Sequence, residues 1–330
     1  MLVAVRHADD DKGRLRVEEI DAPQPAPADV LLGVTACGVC RTDLHIVDGE
    51  LPPHHAAIVP GHQIVGRVTA AGADVDPALI GTRRGVSWVA STDGTCAQCR
   101  AGRENLCDSI AFTGYDRNGG YAQFATARAD FTYPLPDDLD DVSAAPLLCA
   151  GIIGYRALRV AEVQPRERVG LYGFGASAHL VIQVLQTWDC EVYVATRGDS
   201  HRELAYQMGA TWVGTEDERP PKQLDAAVTF APSGDVVVAA LSALRKGGIV
   251  AINAIHLDRI PEFDYDRLLW GERQLRSVAN MTREDASGFL SLAARAGIRS
   301  RATQFSLREA PAALEALRRD RIDGAAVIRP

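Results

Sequence analysis

An apolar run, a glycine-rich turn and an amphipathic helix follow one another in the second half of the chain. RVGLYG, residues 168–173, predicts a buried strand, and AHLVIQVLQTW, residues 178–188, repeats its apolar side chains at helical spacing. EVYVA, residues 191–195, is the next strand-like run. A strand, a helix and a second strand in this order predict a βαβ unit with two parallel strands.

The same alternation continues along the chain, in SHRELAYQMGATWV, LDAAVTF, GDVVVAALSALRKGGIVAIN and LRSVA. Together these runs predict an α/β fold with a mostly parallel, doubly wound sheet. Residues before 147 differ, because their short strand-like runs, Pro, Gly and long loops are typical of an antiparallel β-rich domain. The final stretch predicts two helices, with start signals at Thr282 and Asp285 and at Ser306 and Glu309.

The turn that follows RVGLYG has the spacing G-x-G-x-x-A, with Gly173, Gly175 and Ala178. The first Gly permits a tight turn, the second lets a pyrophosphate approach the backbone, and the small third residue lets helix and strand pack closely. An ordinary tight turn is the alternative, but the position between a strand and an amphipathic helix favours a dinucleotide site. The candidate contacts are Gly173, Phe174, Gly175, Ala176 and Ser177.

The composition limits the possible partners. The 330 residues contain 35 Lys and Arg against 43 Asp and Glu, a formal net charge of −8, and neither sign forms a long run. We therefore expect a small-molecule partner rather than nucleic acid or a membrane. Because the N-terminus lacks the features of a signal peptide, we expect a cytoplasmic protein. Its seven cysteines should then be reduced, and clustered ones become candidate metal ligands.

Three stretches carry side chains suited to metal binding. They are CRTDLH at residues 40–45, GHQ at residues 61–63, and Cys149 within APLLCAG. A catalytic zinc takes three protein ligands, mostly nitrogen and sulfur donors, and keeps a fourth position open. Each stretch alone has an ordinary explanation, since a lone Cys in an apolar run is usually a small core residue.

In combination these stretches resemble a known family. CGVCRTDLH, GHQIVGRV, a Cys-rich lobe ending CRAGRENLC, APLLCAG and LYGFGASAH follow one another as in zinc-dependent medium-chain alcohol dehydrogenases. The resemblance covers the whole chain and is closest to the bacterial branch that resembles cinnamyl alcohol dehydrogenases and aldehyde reductases. It implies a β-rich GroES-like catalytic domain over residues 1–147 and 280–330, and a Rossmann cofactor domain over residues 148–279.

The resemblance also implies which residues surround the catalytic zinc. Cys40, His62 and Cys149 match its three ligands, which leaves Cys37 as a spare thiol. Asp43 matches the carboxylate that orients the ligand His, a role that fixes the tautomer and the basicity of the ring.

Three further residues near Cys40 match functional positions of the family. Arg41 matches a residue that contacts the cofactor pyrophosphate, for which a planar, permanently charged group is suited. Thr42 and His45 match a proton relay that links the substrate hydroxyl to the surface. The alternatives are a helix-capping Thr and a solvated His.

The sequence departs from the family pattern at two positions that concern metals. The family has Glu directly after the ligand His, whereas this chain has Gln63. Relatives place four cysteines around a structural zinc in the lobe, and here the four positions are Asp93, Cys96, Cys99 and Cys107. A carboxylate is an acceptable zinc ligand, so we expect two zinc ions per chain. Three thiols without a metal are the alternative.

A third departure concerns the cofactor. NAD-specific relatives end the second strand with an acidic residue that binds the ribose 2′-hydroxyl. This chain has Thr196 at that place, followed by Arg197. Since a guanidinium can bind a 2′-phosphate and no carboxylate at position 196 repels it, we expect NADP(H) to be favoured over NAD(H).

The resemblance implies hydride transfer between a nicotinamide cofactor and a hydrophobic alcohol or aldehyde held at zinc. The pocket residues that can be placed, Leu51 and Trp88, are apolar or aromatic, and they favour such substrates over the polyols or sugars of relatives with the same fold. A non-catalytic regulatory protein is a further alternative, but such proteins typically lose zinc ligands. A homodimer or homotetramer is implied by the resemblance alone.

Overall fold

The computed structural model describes residues 1–322 and 324–330. It divides the chain into two compact units, of which the first contains Met1–Ala150, Asn280–Ala294 and Arg299–Pro330. The second contains Gly151–Ala279 and Arg295–Ile298. The sequence predicts boundaries after residues 147 and 279, and the catalytic and cofactor roles of the two parts stay predictions.

The strands are β1 (Leu2–His7), β2 (Arg16–Glu19), β3 (Asp29–Val39), β4 (Ala57–Ile58), β5 (Gln63–Ala71), β6 (Arg83–Val86), β7 (Val89–Ser91), β8 (Ala111–Phe112), β9 (Phe124–Arg128), β10 (Thr132–Pro134), β11 (Arg168–Tyr172), β12 (Glu191–Ala195), β13 (Trp212–Gly214), β14 (Leu224–Thr229), β15 (Leu244–Ile252), β16 (Gln274–Ser277), β17 (Ala302–Ser306) and β18 (Ala325–Arg329).

The α-helices are α1 (Arg41–Val47), α2 (Ala97–Arg100), α3 (Asp141–Ala144), α4 (Ala150–Val160), α5 (Ala178–Thr187), α6 (Asp199–Gln207), α7 (Gly234–Ala243), α8 (Tyr265–Leu268), α9 (Arg283–Ala296) and α10 (Ala310–Arg318). Across residues 1–322 and 324–330, no single helix has the length and apolar character needed to span a bilayer. One bent pair of helices, Asp141–Leu148 with Ala150–Val160, meets those two criteria when the helices are taken together.

The first unit is built on a mixed sheet in the order β10-β6-β5-β3-β18-β17, with β9 also paired to β3. Its central strand β3 is eleven residues long and is mostly buried. Val30 and Leu32 of β3 pack in one core with Ile64 and Val68 of the neighbouring strand β5. Strands β3 and β5 are antiparallel, and Gly38 pairs with Gln63. The end of β3 and the start of β5 therefore lie side by side.

The second unit contains a six-stranded sheet in the order β13-β12-β11-β14-β15-β16. Every neighbouring pair is parallel, which confirms the predicted doubly wound sheet. This is the strand order of dinucleotide-binding folds, in which ligands bind at the carboxyl ends of the strands where the order reverses. Strand β11 lies at that reversal, and the glycine-rich turn follows it directly.

The last fifty residues contain more strand than the sequence analysis expected. Helix α9 begins after Thr282, whose backbone N–H and hydroxyl donate to Asp285 Oδ2 at 2.9 and 2.8 Å. Ser306 and Glu309 form a capping box that starts a 3₁₀ turn leading into α10. Strands β17 and β18, which the sequence analysis missed, add to the sheet of the first unit beside β3. The apolar run AAVI, residues 325–328, was the available signal for β18.

Candidate active site

The stretch CRTD folds as the start of helix α1, directly after β3. Cys40 caps the helix, because its sulfur accepts a hydrogen bond from Thr42 N at 3.3 Å. Its own backbone N–H donates to Asp43 Oδ2 at 2.9 Å, which completes a reciprocal capping box. The capping contacts of α1 therefore help to position the Cys40 sulfur.

The structure brings Cys40, His62 and Cys149 together. His62 immediately precedes β5, and the pairing of β5 with β3 places its Nε2 3.3 Å from the Cys40 sulfur. Gly61 has φ +93°, and a side chain there would collide with the ring of Tyr121, so the turn into His62 requires glycine. The ligand atoms of Cys40, His62 and Cys149 all lie within 4.8 Å of one another.

Asp43 lies behind this cluster and is fully buried. Its Oδ1 is 3.2 Å from His62 Nδ1, a close contact that is bent away from hydrogen-bond geometry. The same oxygen accepts a hydrogen bond from Gly61 N at 3.1 Å. Asp43 thus contacts the ring nitrogen of His62 opposite the one that faces Cys40, which is the arrangement expected of a residue that orients a metal ligand.

The buried charges of the cluster depend on one another. The neighbouring Cys149 and the His62 ring hold the pKa of Cys40 well below its usual range. Burial acts in the opposite direction but has the smaller effect. Burial alone would lower the pKa of His62, but the facing Cys40 and Asp43 raise it to about 10. Burial raises the pKa of Cys37 well above its usual range, so this thiol is an uncharged core group. The lowered pKa of Cys40 favours its thiolate, the form that binds metals.

The other predicted residues of α1 lie around its first two turns. Arg41 is exposed, whereas Thr42 is buried, and the two residues lie at the N-terminus of the helix. His45 is one turn beyond Thr42, and its Nδ1 pairs with the carboxylate of Glu50. Residues three apart share a helix face, so Thr42 and His45 lie on the same side of α1.

An aromatic wall, consisting of Trp88, Phe112 and Tyr115, lies against the cluster. The ring of Trp88 meets His62 edge-on, with centroids 5.0 Å apart, and stacks on Phe112 at 4.6 Å. Tyr115 continues the stack at 6.4 Å from Trp88. Sequence reasoning named Trp88 but missed Phe112 and Tyr115, whose only signal was their aromatic type just after the Cys-rich lobe. Leu51, the other predicted pocket residue, is partly buried.

The Cys-rich lobe, residues 93–107, gathers a second set of ligand atoms. Those of Asp93, Cys96, Cys99 and Cys107 lie within 4.8 Å of one another. Asp93 Oδ1 accepts hydrogen bonds from Thr95 N at 2.7 Å and Cys96 N at 2.8 Å. These bonds from Cys96 and Thr95 lower the pKa of the Asp93 carboxyl, which is therefore ionised and able to bind a cation.

The lobe is also tied to the start of helix α9. Glu104 accepts hydrogen bonds from the backbone N–H of Arg283 at 2.7 Å and from its guanidinium at 2.6 Å. The guanidinium lies 4.6 Å above the centre of the Phe131 ring, and Asn280 Nδ2 donates to Asn105 O at 3.2 Å. Part of the lobe is thus held by contacts that do not involve the cysteines.

In the second unit, the glycine-rich turn leaves space at the N-terminus of α5. Gly173 has φ +92°, a conformation that favours glycine. A side chain at Gly175 would meet nothing within 4 Å, so the backbone there is open to a ligand. Ser177 caps α5 without a side-chain hydrogen bond. An open glycine next to a helix N-terminus fits a dinucleotide pyrophosphate.

The residues after β12 have different environments. Thr196 is buried, and its hydroxyl accepts a hydrogen bond from Phe174 N at 3.2 Å, so it supports the glycine-rich turn. Arg197 is exposed, and its Nε lies 2.5 Å from Glu216 Oε2. The acidic partner of Arg197 comes from the loop after β13, which sequence reasoning missed because the contact depends on the pairing of two strands.

Two family models match the chain. The alcohol dehydrogenase GroES-like domain matches residues 26–137, and the zinc-binding dehydrogenase domain matches residues 178–295. Together they span most of the chain and both of its units.

Individual relatives agree with these matches. "Probable alcohol dehydrogenase AdhA" of Mycobacterium tuberculosis (strain CDC 1551 / Oshkosh) is 47% identical over 323 residues, which cover 96% of this chain and 93% of that protein. An alcohol dehydrogenase of Geobacillus stearothermophilus is 33% identical over 298 residues, 88% of each chain. The solved structure of acetophenone reductase from Geotrichum candidum in complex with NAD superposes with a TM-score of 0.88 at 25% identity, over 100% of this chain and 97% of that one. The chain therefore belongs to the zinc-dependent medium-chain alcohol dehydrogenase family.

Proposed function

We propose that the first unit holds a catalytic zinc at Cys40, His62 and Cys149, where a hydrophobic alcohol or aldehyde exchanges a hydride with a nicotinamide cofactor bound by the second unit. The observation that carries this proposal is the convergence of the three ligand atoms within 4.8 Å of one another. Zinc, when bound, polarises a carbonyl oxygen and lowers the pKa of an alcohol. The mixed sulfur and nitrogen donor set with three protein ligands is that of a catalytic zinc.

The chain's own residues supply the remaining functions. Asp43 orients His62, and the aromatic wall beside His62 excludes water and favours a flat or apolar substrate over a polyol. The Thr42 hydroxyl accepts the substrate proton while it releases its own towards His45, which lies on the same face of α1 and pairs with Glu50. Arg41 and the glycine-rich turn bind the cofactor phosphates.

The test is a panel of aldehydes, ketones and alcohols, assayed with both nicotinamide cofactors alongside zinc analysis of the same preparation. We expect turnover of aromatic and aliphatic aldehydes and alcohols that depends on bound zinc. Turnover restricted to polyols or sugars would contradict the proposed substrate class, and full activity in zinc-free protein would contradict the metal site.

We further propose a second zinc in the lobe, held by Asp93, Cys96, Cys99 and Cys107. Asp93→Ala is expected to lower the zinc content from two ions per chain to one, because three thiolates leave the tetrahedral site without its fourth ligand. Metal analysis of protein purified without chelator measures the change. Asp108→Ala, which removes an exposed carboxylate of the same segment outside the ligand set, is the matched control. One zinc per chain in the wild type would contradict the proposal.

The proposed cofactor preference is NADP(H) over NAD(H), because Arg197 offers an exposed guanidinium beside the end of β12. Arg197→Ala is expected to lower kcat/KM with NADPH by about ten- to a hundredfold and to change the value with NADH little, since one charge-assisted contact is lost. Arg219→Ala, at another exposed arginine of the second unit, is the control. A wild-type ratio in favour of NADH would refute the preference.

By resemblance to the family we also propose a homodimer or homotetramer. Light scattering of the purified full chain decides between these states and a monomer. The cytoplasmic location stays a prediction from the sequence.

A further inference from the structure

The ends of strands β12 and β13 are joined in a way that brings two charged residues together. Ala195 pairs with Gly214 at the last position of the parallel ladder. One residue further on, Thr196 N donates to Gly214 O at 3.0 Å. The segments that follow the two strands therefore start side by side, and Arg197 meets Glu216 across them.

Glu216 is the more fixed member of the pair. Its side chain is 12% exposed, whereas that of Arg197 is 76% exposed. The loop that carries Glu216 is held by Glu218, whose carboxylate accepts a hydrogen bond from Thr215 N at 2.7 Å. The Glu216 carboxylate is thus largely buried at the edge of the sheet, and the Arg197 guanidinium extends from it into solvent.

Position 196 itself carries no charge, and Thr196 is turned towards the glycine-rich turn through its bond from Phe174 N. The negative charge at this edge of the sheet comes from Glu216, in the loop that follows the neighbouring strand β13. We propose that Glu216 is a specificity-determining residue that limits the preference of this enzyme for NADP(H) over NAD(H). This inference rests on the proposed function of the second unit as the cofactor site.

The expected effect of Glu216 on the cofactor is electrostatic. A 2′-phosphate that binds Arg197 brings close to two negative charges towards a guanidinium already paired with Glu216, so attraction by one group is opposed by repulsion from the other. A ribose 2′-hydroxyl is neutral and meets no such repulsion. Replacing Glu216 by Gln removes the repulsion while it keeps the size of the side chain. We expect affinity for a 2′-phosphorylated nucleotide to rise about tenfold, and that for its unphosphorylated analogue to change little.

The experiment is calorimetric titration of the full chain, at low ionic strength, with adenosine 2′,5′-bisphosphate and with AMP. Low ionic strength is needed because salt screens exposed charges. Glu216→Gln is compared with Asp217→Asn, which removes an equal charge from the adjacent exposed position. Both changes are repeated in an Arg197→Ala background. We expect the affinity for the bisphosphate to rise in Glu216→Gln but not in Asp217→Asn. This rise should be smaller in the Arg197→Ala background. Unchanged AMP binding shows that each variant is folded.

Two results would overturn the inference. Equal effects of Glu216→Gln and Asp217→Asn would mean that any negative charge next to Arg197 acts in this way, which would leave Glu216 without a specific role. A loss of bisphosphate affinity in Glu216→Gln would mean that Glu216 orients Arg197 for binding instead of opposing it. The same variants assayed for alcohol oxidation with NADP⁺ and NAD⁺ separate this question from the proposed function. A wild type that binds both nucleotides but oxidises no alcohol refutes the proposed reaction and leaves the role of Glu216 decided by the titrations.

Discussion

Replacing Cys40 by Ser is expected to lower kcat/KM by more than about a hundredfold and to remove zinc from the catalytic site, whereas Cys37→Ser leaves both close to wild type. The physical reason is the different state of the two sulfurs. Cys149 and the facing His62 ring lower the pKa of Cys40, whereas burial raises the pKa of Cys37, so Cys40 is the better metal ligand. Loss of even a residue that supports a metal ligand typically costs ten- to a hundredfold, and loss of a ligand costs more.

The measurement pairs steady-state kinetics with zinc analysis of both variants. The comparison is well matched, because the two cysteines are three residues apart and both side chains lie close to the cluster. Thermal melts show whether either change disturbs the first unit. Equal losses of zinc and activity in the two variants would show that the ligand has been assigned to the wrong thiol.

Asp43→Asn is expected to weaken zinc binding and to lower kcat/KM by about ten- to a hundredfold, with all three ligands intact. The carboxylate contacts His62 Nδ1 at 3.2 Å and also accepts hydrogen bonds from Cys40 N and Gly61 N. An amide has one acceptor oxygen, so it cannot satisfy both backbone donors, and it loses the charge that favours the correct orientation of the ring.

The control for Asp43→Asn is Asp285→Asn. Asp285 is also a fully buried carboxylate at the start of a helix, where it accepts hydrogen bonds from Thr282. Both variants should melt at a lower temperature, but only Asp43→Asn should lose zinc affinity, measured by competition with a metal-binding dye. If both variants melt at a lower temperature but keep their zinc affinity, Asp43 caps helix α1 and does not support the metal site.

The fold of the second unit could be predicted from the sequence, because each of its strands and helices is encoded by a pattern of neighbouring residues. The apolar run of β11, the glycine spacing and the helical period of α5 each extend over a few residues, and the parallel sheet follows from their order. Strand β17 escaped prediction because its residues are partly or fully exposed and show no clean alternation.

The candidate active site depended on resemblance, because its contacts are distant in sequence. Cys40 and His62 are 22 residues apart, and only the pairing of Gly38 with Gln63 brings them into contact. No periodicity encodes that register. The aromatic wall and the Arg197–Glu216 pair escaped sequence reasoning for the same reason, since each depends on how separate strands align.

The capping of α1 by Cys40 has a practical consequence. The amide proton of Thr42 points at the same sulfur that a cation would share, at an N–S distance of 3.3 Å. A cation that binds this sulfur draws electron density from it and weakens the hydrogen bond from the Thr42 amide. The chemical shift and the solvent exchange rate of that amide proton then change. Nuclear magnetic resonance of one backbone amide would therefore follow the occupancy of the site, in the absence of substrate or cofactor.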